Sequence, residues 1–132
     1  MKPYVTVKNF ESVKMTHRAG ELFNPPGLTN FWGCCQSALD VMAVQHLTFP
    51  PYSHGDAPLG SLTVNDCCIA TEGVPVAYRW RPDRIERACK VDGLAIETLT
   101  VMGVAEQSVT IKLTIKNPAR KQRDVKLRIR TG

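Results

Sequence analysis

The sequence predicts an all-β chain, an antiparallel β-sandwich, whole or lacking part of its strands, and three observations carry that expectation. From Val109 to Ile129, apolar residues alternate with Thr, Lys and Arg, interrupted once between Asn117 and Asp124. Period-2 alternation sends one set of side chains to each face of a sheet. Asp92-Gly93 stands between two such alternating runs, the residue pair that a tight hairpin turn prefers. Short runs of this kind recur through the second half with turn residues every ~8–12 positions, as sandwiches require.

Taken in order, Tyr4 to Val13 has strand-forming residues that can continue through Arg18. Pro25, Pro26 and Gly27 break regular structure. Asn30 to Leu47 is expected to hold one or two strands, with Ser37 to Val44 equally able to form a short helical turn. Phe49 to Pro58 is a loop by composition. Leu62 and Val64 lead into a turn at Asn65-Asp66, and Cys67 to Thr71 returns as a strand before a second turn at Glu72-Gly73. Val74 to Trp80 is extended, because Pro75 holds its predecessor in the β region. Ile85 to Lys90 pairs through Asp92-Gly93 with Leu94 to Met102, placing Leu94, Ile96, Thr98 and Thr100 on one face. Val109 to Lys116 and Val125 to Arg130 are then expected to form a terminal hairpin, apolar on one face and basic on the other.

With 132 residues the chain fits one domain, 1–132, either a single sandwich or the N-terminal part of one. An apolar share of 43% beside 22% charged residues argues against wholesale disorder. No apolar run approaches the ~18 residues of a membrane span, and Met1 to Lys8 alternates without the apolar core of a signal peptide. No membrane partner and a cytoplasmic location are the expectation. Eight Lys or Arg against Asp124 alone lie between Lys112 and Arg130, so the remainder of a +5 chain sums to −2. A basic sheet face attracts polyanions, but no aromatic ring is interleaved for base stacking, and a solvated face is the better reading. No nucleic-acid partner is expected. Cys34, Cys35, Cys67, Cys68 and Cys89 are odd in number and lack C-x₂₋₄-C spacing, so free thiols in a reducing compartment outweigh a metal site. Each adjacent pair is expected to split between core and surface.

Tyr78 to Arg87 is the densest polar cluster. Rings beside guanidinium groups can hold a sugar, stacking on its apolar face and bonding its hydroxyls. Tyr78, Trp80, Arg81 and, from the preceding loop, Tyr52 are therefore the candidate substrate-binding residues. A structural role, with Trp80 in the core and the charges salt-bridged, weighs against this. Asp83 and Glu86 are close enough to suggest a glycosidase pair, yet the surrounding arginines keep both ionised and make a poor proton donor. His17, His46 and His54 lack metal-ligand spacing and stand as ordinary surface or loop residues. No catalytic residue, metal or cofactor is assigned.

The runs from Tyr78 to Arg87, Asp92 to Thr100 and Ser108 to Pro118, with the basic strand connection from Asn117 to Leu127, resemble the N-terminal β-sandwich domain of six-hairpin glycosidases. The similarity covers roughly 59–132 and, more loosely, Phe49 to Tyr52. It implies a non-catalytic N-terminal domain of a carbohydrate-active glycoside hydrolase, supporting or flanking a helical (α/α) toroid. In that family the general acid and base belong to the toroid, which this chain lacks, so no catalytic position carries over. The resemblance further implies a fragment, with carbohydrate met through the parent enzyme and the C-terminal catalytic domain as missing partner. The alternative is an autonomous carbohydrate-binding module that stacks sugar on Trp80, Tyr78, Trp32 or Tyr52.

Overall fold

The computed structural model describes residues 14–18, 25–38, 40–55 and 59–131, the first of these as backbone. Tyr4 to Val13 lies outside the described residues. Twelve strands follow one another: β1 (Lys14–Arg18), β2 (Leu28–Thr29), β3 (Cys34–Ser37), β4 (Val44–Phe49), β5 (Tyr52–His54), β6 (Ser61–Val64), β7 (Cys67–Cys68), β8 (Pro75–Arg81), β9 (Arg84–Val91), β10 (Leu94–Met102), β11 (Val109–Lys116) and β12 (Leu127–Arg130). They form three antiparallel sheets, ordered β1-β8-β9-β10-β11, β2-β3-β4-β5 and β12-β6-β7, so the all-β expectation holds.

The five-stranded sheet is one layer; the two smaller sheets lie over its two ends as a divided second layer. Alternation decides which face is inside. In β9 the residues Ile85, Arg87, Cys89 and Val91 are buried, and in β10 Leu94, Ile96, Thr98 and Thr100 are buried, while their neighbours face outward. At one end Val76, Cys89, Val91, Leu94 and Ile96 pack on Leu62, Val64 and Ile69 of the β6–β7 region. At the other end Tyr78 and Ile85 pack on Leu28 and Cys35. Burying apolar side chains of this size stabilises each layer by about 1.5–3 kcal/mol per side chain.

Two hairpin turns have the positive φ angles that Asn, Asp and Gly tolerate: Asn65 and Asp66 at 46° and 68°, Asp92 and Gly93 at 49° and 73°. They are also fastened together. Asn65 Nδ2 and Arg123 Nη2 both donate to Asp92 Oδ2 at 2.6 Å, and the Lys126 N–H donates to Asn65 Oδ1 at 2.9 Å. The clamp ties the two layers and sets where β12 enters.

Several local expectations change. The expected terminal hairpin does not form: β11 pairs with β10 along its whole length, and β12 crosses to the other layer to pair with β6. The stretch between them is too long for a tight turn and has no turn pair of the Asp92-Gly93 kind. The Asn65–Lys126 bonds then bring β12 alongside β6. As a result, Lys112 and Lys116 face out from one layer, and Arg128 and Arg130 from the opposite layer, so the basic face anticipated as one surface is two. Residue 38 and residues 40 to 43 are neither helix nor strand but form a bent connection. Phe49 and Tyr52 close a hairpin rather than a loop. The strand expected from Cys67 to Thr71 ends at Cys68, because backbone bonds from Thr71 and Glu72 to the Cys68 carbonyl turn the chain. Cys34 and Cys35 split between surface and core as expected, but Cys67 and Cys68 are both half-buried.

Candidate functional site

The connection between β3 and β4, strands of the same small sheet, lies over the middle of the five-stranded sheet, where Arg87 and Thr98 bond its carbonyls. Its carbonyls have no strand to bond, and a buried carbonyl must find a donor. The sheet supplies one row of them. Tyr78, Arg87 and Thr98 stand directly opposite one another across β8, β9 and β10. Arg87, 1% exposed, donates from Nη1 to the carbonyls of Ala38 (3.2 Å), Asp40 (2.5 Å) and Ala43 (2.7 Å), and from Nη2 to Thr100 Oγ1 (2.8 Å). Thr98 Oγ1 donates to the Val41 carbonyl at 2.7 Å. The Tyr78 hydroxyl lies 2.8 Å from Ser37 Oγ and donates to the Pro26 carbonyl at 2.9 Å.

Electrostatics follow from burial. Loss of water lowers Arg87 to about 10, against the pull of Tyr78 and Asp40, so it stays charged at neutral pH. Asp40 is buried too; burial raises its carboxyl although the N–H groups of Met42 and Leu62 donate to it. Burial likewise raises the Tyr78 phenol and takes the Cys89 thiol up to about 11. Apart from Arg87 Nε, which is buried without a hydrogen-bond partner, the row's polar groups bond within the protein, and its role is architectural. No group of three or more His, Cys, Asp or Glu side chains that could hold a metal occurs among the described residues.

The sequence-predicted site residues are not brought together. Tyr78 is interior, with no ring face open to a ligand. Trp80 is half-buried against the Leu28 cluster, and its Nε1 donates to the Gly27 carbonyl at 2.9 Å. Arg81 is half-buried at the far end of β8. Tyr52 sits in a different sheet, on β5, with 76% of its surface exposed. Asp83 accepts two bonds from Arg84, which hold its carboxyl below the usual range, and Glu86 pairs with Arg79 at 3.5 Å. His46 and His54 are exposed.

An exposed aromatic rim occupies one end of the molecule instead. Asn30 builds it: its Oδ1 accepts from the N–H groups of Trp32 and Gly33 at 2.8 Å, and its Nδ2 donates to the Gly103 carbonyl at 2.6 Å. That bond sets the Phe31-Trp32 turn beside Val104. Phe31 and Val104 are each 92% exposed and Trp32 41%, with the Phe31 and Trp32 rings edge to face at 5.6 Å. Gly33 lets the β4–β5 hairpin approach, since a Cβ there would collide with the Thr48 carbonyl oxygen. Phe49 and Tyr52 pair in that hairpin, next along the rim. Rings presented this way can stack on the apolar face of a sugar or on another protein.

The outer face of the five-stranded sheet offers a second concave surface, of about 570 Å³, floored by Ala77, Ala88 and Leu99 and bordered by Arg79, Glu86 and Lys112. Its charges are mixed, suiting hydroxyl-rich or zwitterionic solutes more than a polyanion.

Sequence reasoning named Trp32 and Tyr52 but missed Phe31, Val104 and Arg87. Arg87 had a signal: it falls in the buried phase of β9, between Ile85 and Cys89. The rim had none, because its key bond joins residues 73 positions apart. No family model, no curated protein and no solved structure matches this chain.

Proposed function

We propose that the chain is a non-catalytic β-sandwich module of a carbohydrate-active glycoside hydrolase, supporting or flanking a catalytic toroid, and that the aromatic rim is the surface by which it docks. The observation that carries this reading is the pair Phe31 and Val104, each 92% exposed and joined through the Asn30–Gly103 bond. Phe31 and Val104 are the most exposed large apolar side chains among the described residues, and with Trp32 beside them they favour an interaction surface there. In this reading carbohydrate is met through the parent enzyme, in a reducing, cytoplasmic setting suited to free thiols, with neither nucleic acid nor membrane as partner. The chain alone is expected to release no sugar from a panel of oligosaccharides. When it is mixed with a toroid catalytic domain of the six-hairpin glycosidase kind, the amides of Phe31, Trp32 and Val104 should gain protection from hydrogen exchange. Hydrolysis by the chain alone, or unchanged exchange at the rim, would overturn the proposal.

A second reading rests on the same rim: Trp32 and Tyr52 as a sugar-stacking platform of an autonomous binding module. Titration with oligosaccharides should then shift tryptophan emission, and Trp32→Ala should abolish the shift. An unresponsive emission spectrum removes this reading and leaves docking.

A further inference from the structure

The edge of the smaller β6 sheet carries a second, independent feature. β12 is the outermost strand there, and it pairs with β6 so that Leu127 opposes Val64 and Ile129 opposes Leu62. Directly opposed residues share a face. Val64 and Leu62 are fully buried, so Leu127 and Ile129 also point inward, yet they remain 47% and 49% exposed. The interior face of this sheet thus extends beyond its cover. On the outer face Arg128 and Arg130 oppose Thr63 and Ser61, and neither has an ion-pair partner among the described residues. Lys126 lies in the same phase, 3.5 Å from Asp66. Beyond β12, no described strand takes the hydrogen-bonding edge.

An open edge of this kind templates another strand, and its side chains decide which strand. A second copy of β12 is a poor occupant. Every antiparallel register that keeps Leu127 and Ile129 together on one face sets cation against cation, which is unfavourable. A strand that alternates apolar and acidic residues meets both faces at once. Its apolar set covers Leu127 and Ile129, and its carboxylates lie across from Arg128 and Arg130. The β11 edge is less suited, because Leu113 and Ile115 already pack on the core and Lys116 is paired with Glu97 at 2.8 Å.

We propose that the free edge of β12 accepts an extended segment of a separate polypeptide whose residues alternate between apolar and acidic. The proposal stands apart from the rim, which lies on other loops. The test uses the whole, isotope-labelled chain and three seven-residue probes: alternating Glu and Val, alternating Lys and Val, and the Glu/Val composition with its acids in one block. The alternating acidic probe should move the amide signals of residues 127–130, bind at least about ten-fold tighter than the lysine probe, and weaken as salt rises. The blocked probe should bind weakly, since its apolar residues fall out of phase. Arg128→Glu combined with Arg130→Glu changes exposed side chains only and should invert the preference toward the lysine probe. Equal binding of the acidic and lysine probes, equal binding of the blocked probe, or signal changes confined to β11 or the rim would each overturn the proposal. So would self-association of the chain through β12.

Discussion

The two faces of the five-stranded sheet use one chemistry in two ways. On the inner face Arg87 is surrounded by carbonyls of the β3–β4 connection and by Thr100, in a place that water does not reach. On the outer face, one residue away along β9, Glu86 meets Arg79 in a pair about a third exposed on each side. Both contacts hold a guanidinium group. The inner one is made out of reach of water, so removing it leaves buried acceptors short of a donor; the outer one competes with water and salt at every moment. Burial, more than the count of polar contacts, determines what each is worth.

The largest effect should come from breaking the inner row. Arg87→Ala removes the guanidinium donor from the carbonyls of Ala38, Asp40 and Ala43, leaving the latter two only their backbone donors, and opens a cavity; it should cost about 3–5 kcal/mol in urea unfolding. An effect under about 1 kcal/mol would mean that the β3–β4 connection is held by other contacts. Tyr78→Phe is gentler, since it keeps the packed ring and removes only the hydroxyl between Ser37 and Pro26. A loss of about 1–2 kcal/mol is expected, with the unfolding slope unchanged.

The same comparison shows what the sequence could carry. Alternation is a statement about faces, and it placed Leu94, Ile96, Thr98 and Thr100 on one buried side of β10. The Asp92-Gly93 pair located its hairpin because only residues tolerant of positive φ close so tight a turn. Alternation does not name a neighbour. β11 and β12 have the right faces, yet the clamp among Asn65, Asp92, Arg123 and Lys126 assigns them to different layers, and that clamp exists only in three dimensions. For the candidate site, Tyr52 and Trp32 were named among four candidate stacking rings, and these two are the ones left exposed. An aromatic residue in a strand fits a core as well as a platform. Trp80 was weighed as a core residue, and it packs half-buried against the Leu28 cluster; Tyr78, named beside it as a candidate binding residue, is interior.

Acid should sharpen the contrast through Asp40. Burial raises its folded-state pKa above the ordinary 3.8, so the native state holds the proton more tightly than the unfolded chain does. The resulting stabilisation is fully present below 3.8 and is lost as pH rises through the folded value. Asp40→Asn removes this titration and keeps an oxygen for the Met42 N–H. The stability difference between wild type and variant should therefore move in favour of the wild type between neutral pH and about pH 4. A difference that stays constant over that range would mean that water reaches the carboxylate.

The smallest effect belongs to the outer face. Arg79 and Glu86 stand directly opposite across β8 and β9, 3.5 Å apart, which is favourable cross-strand geometry. Their side chains are 31% and 36% exposed, so solvent screens most of the attraction. A double-mutant cycle with Arg79→Ala and Glu86→Ala should return a coupling of about 0.2–1 kcal/mol, shrinking further in high salt. Coupling that exceeds this range and resists salt would make the outer trough a dry, pre-organised surface, and the distinction between the two faces would then lie in their partners rather than in their contact with water.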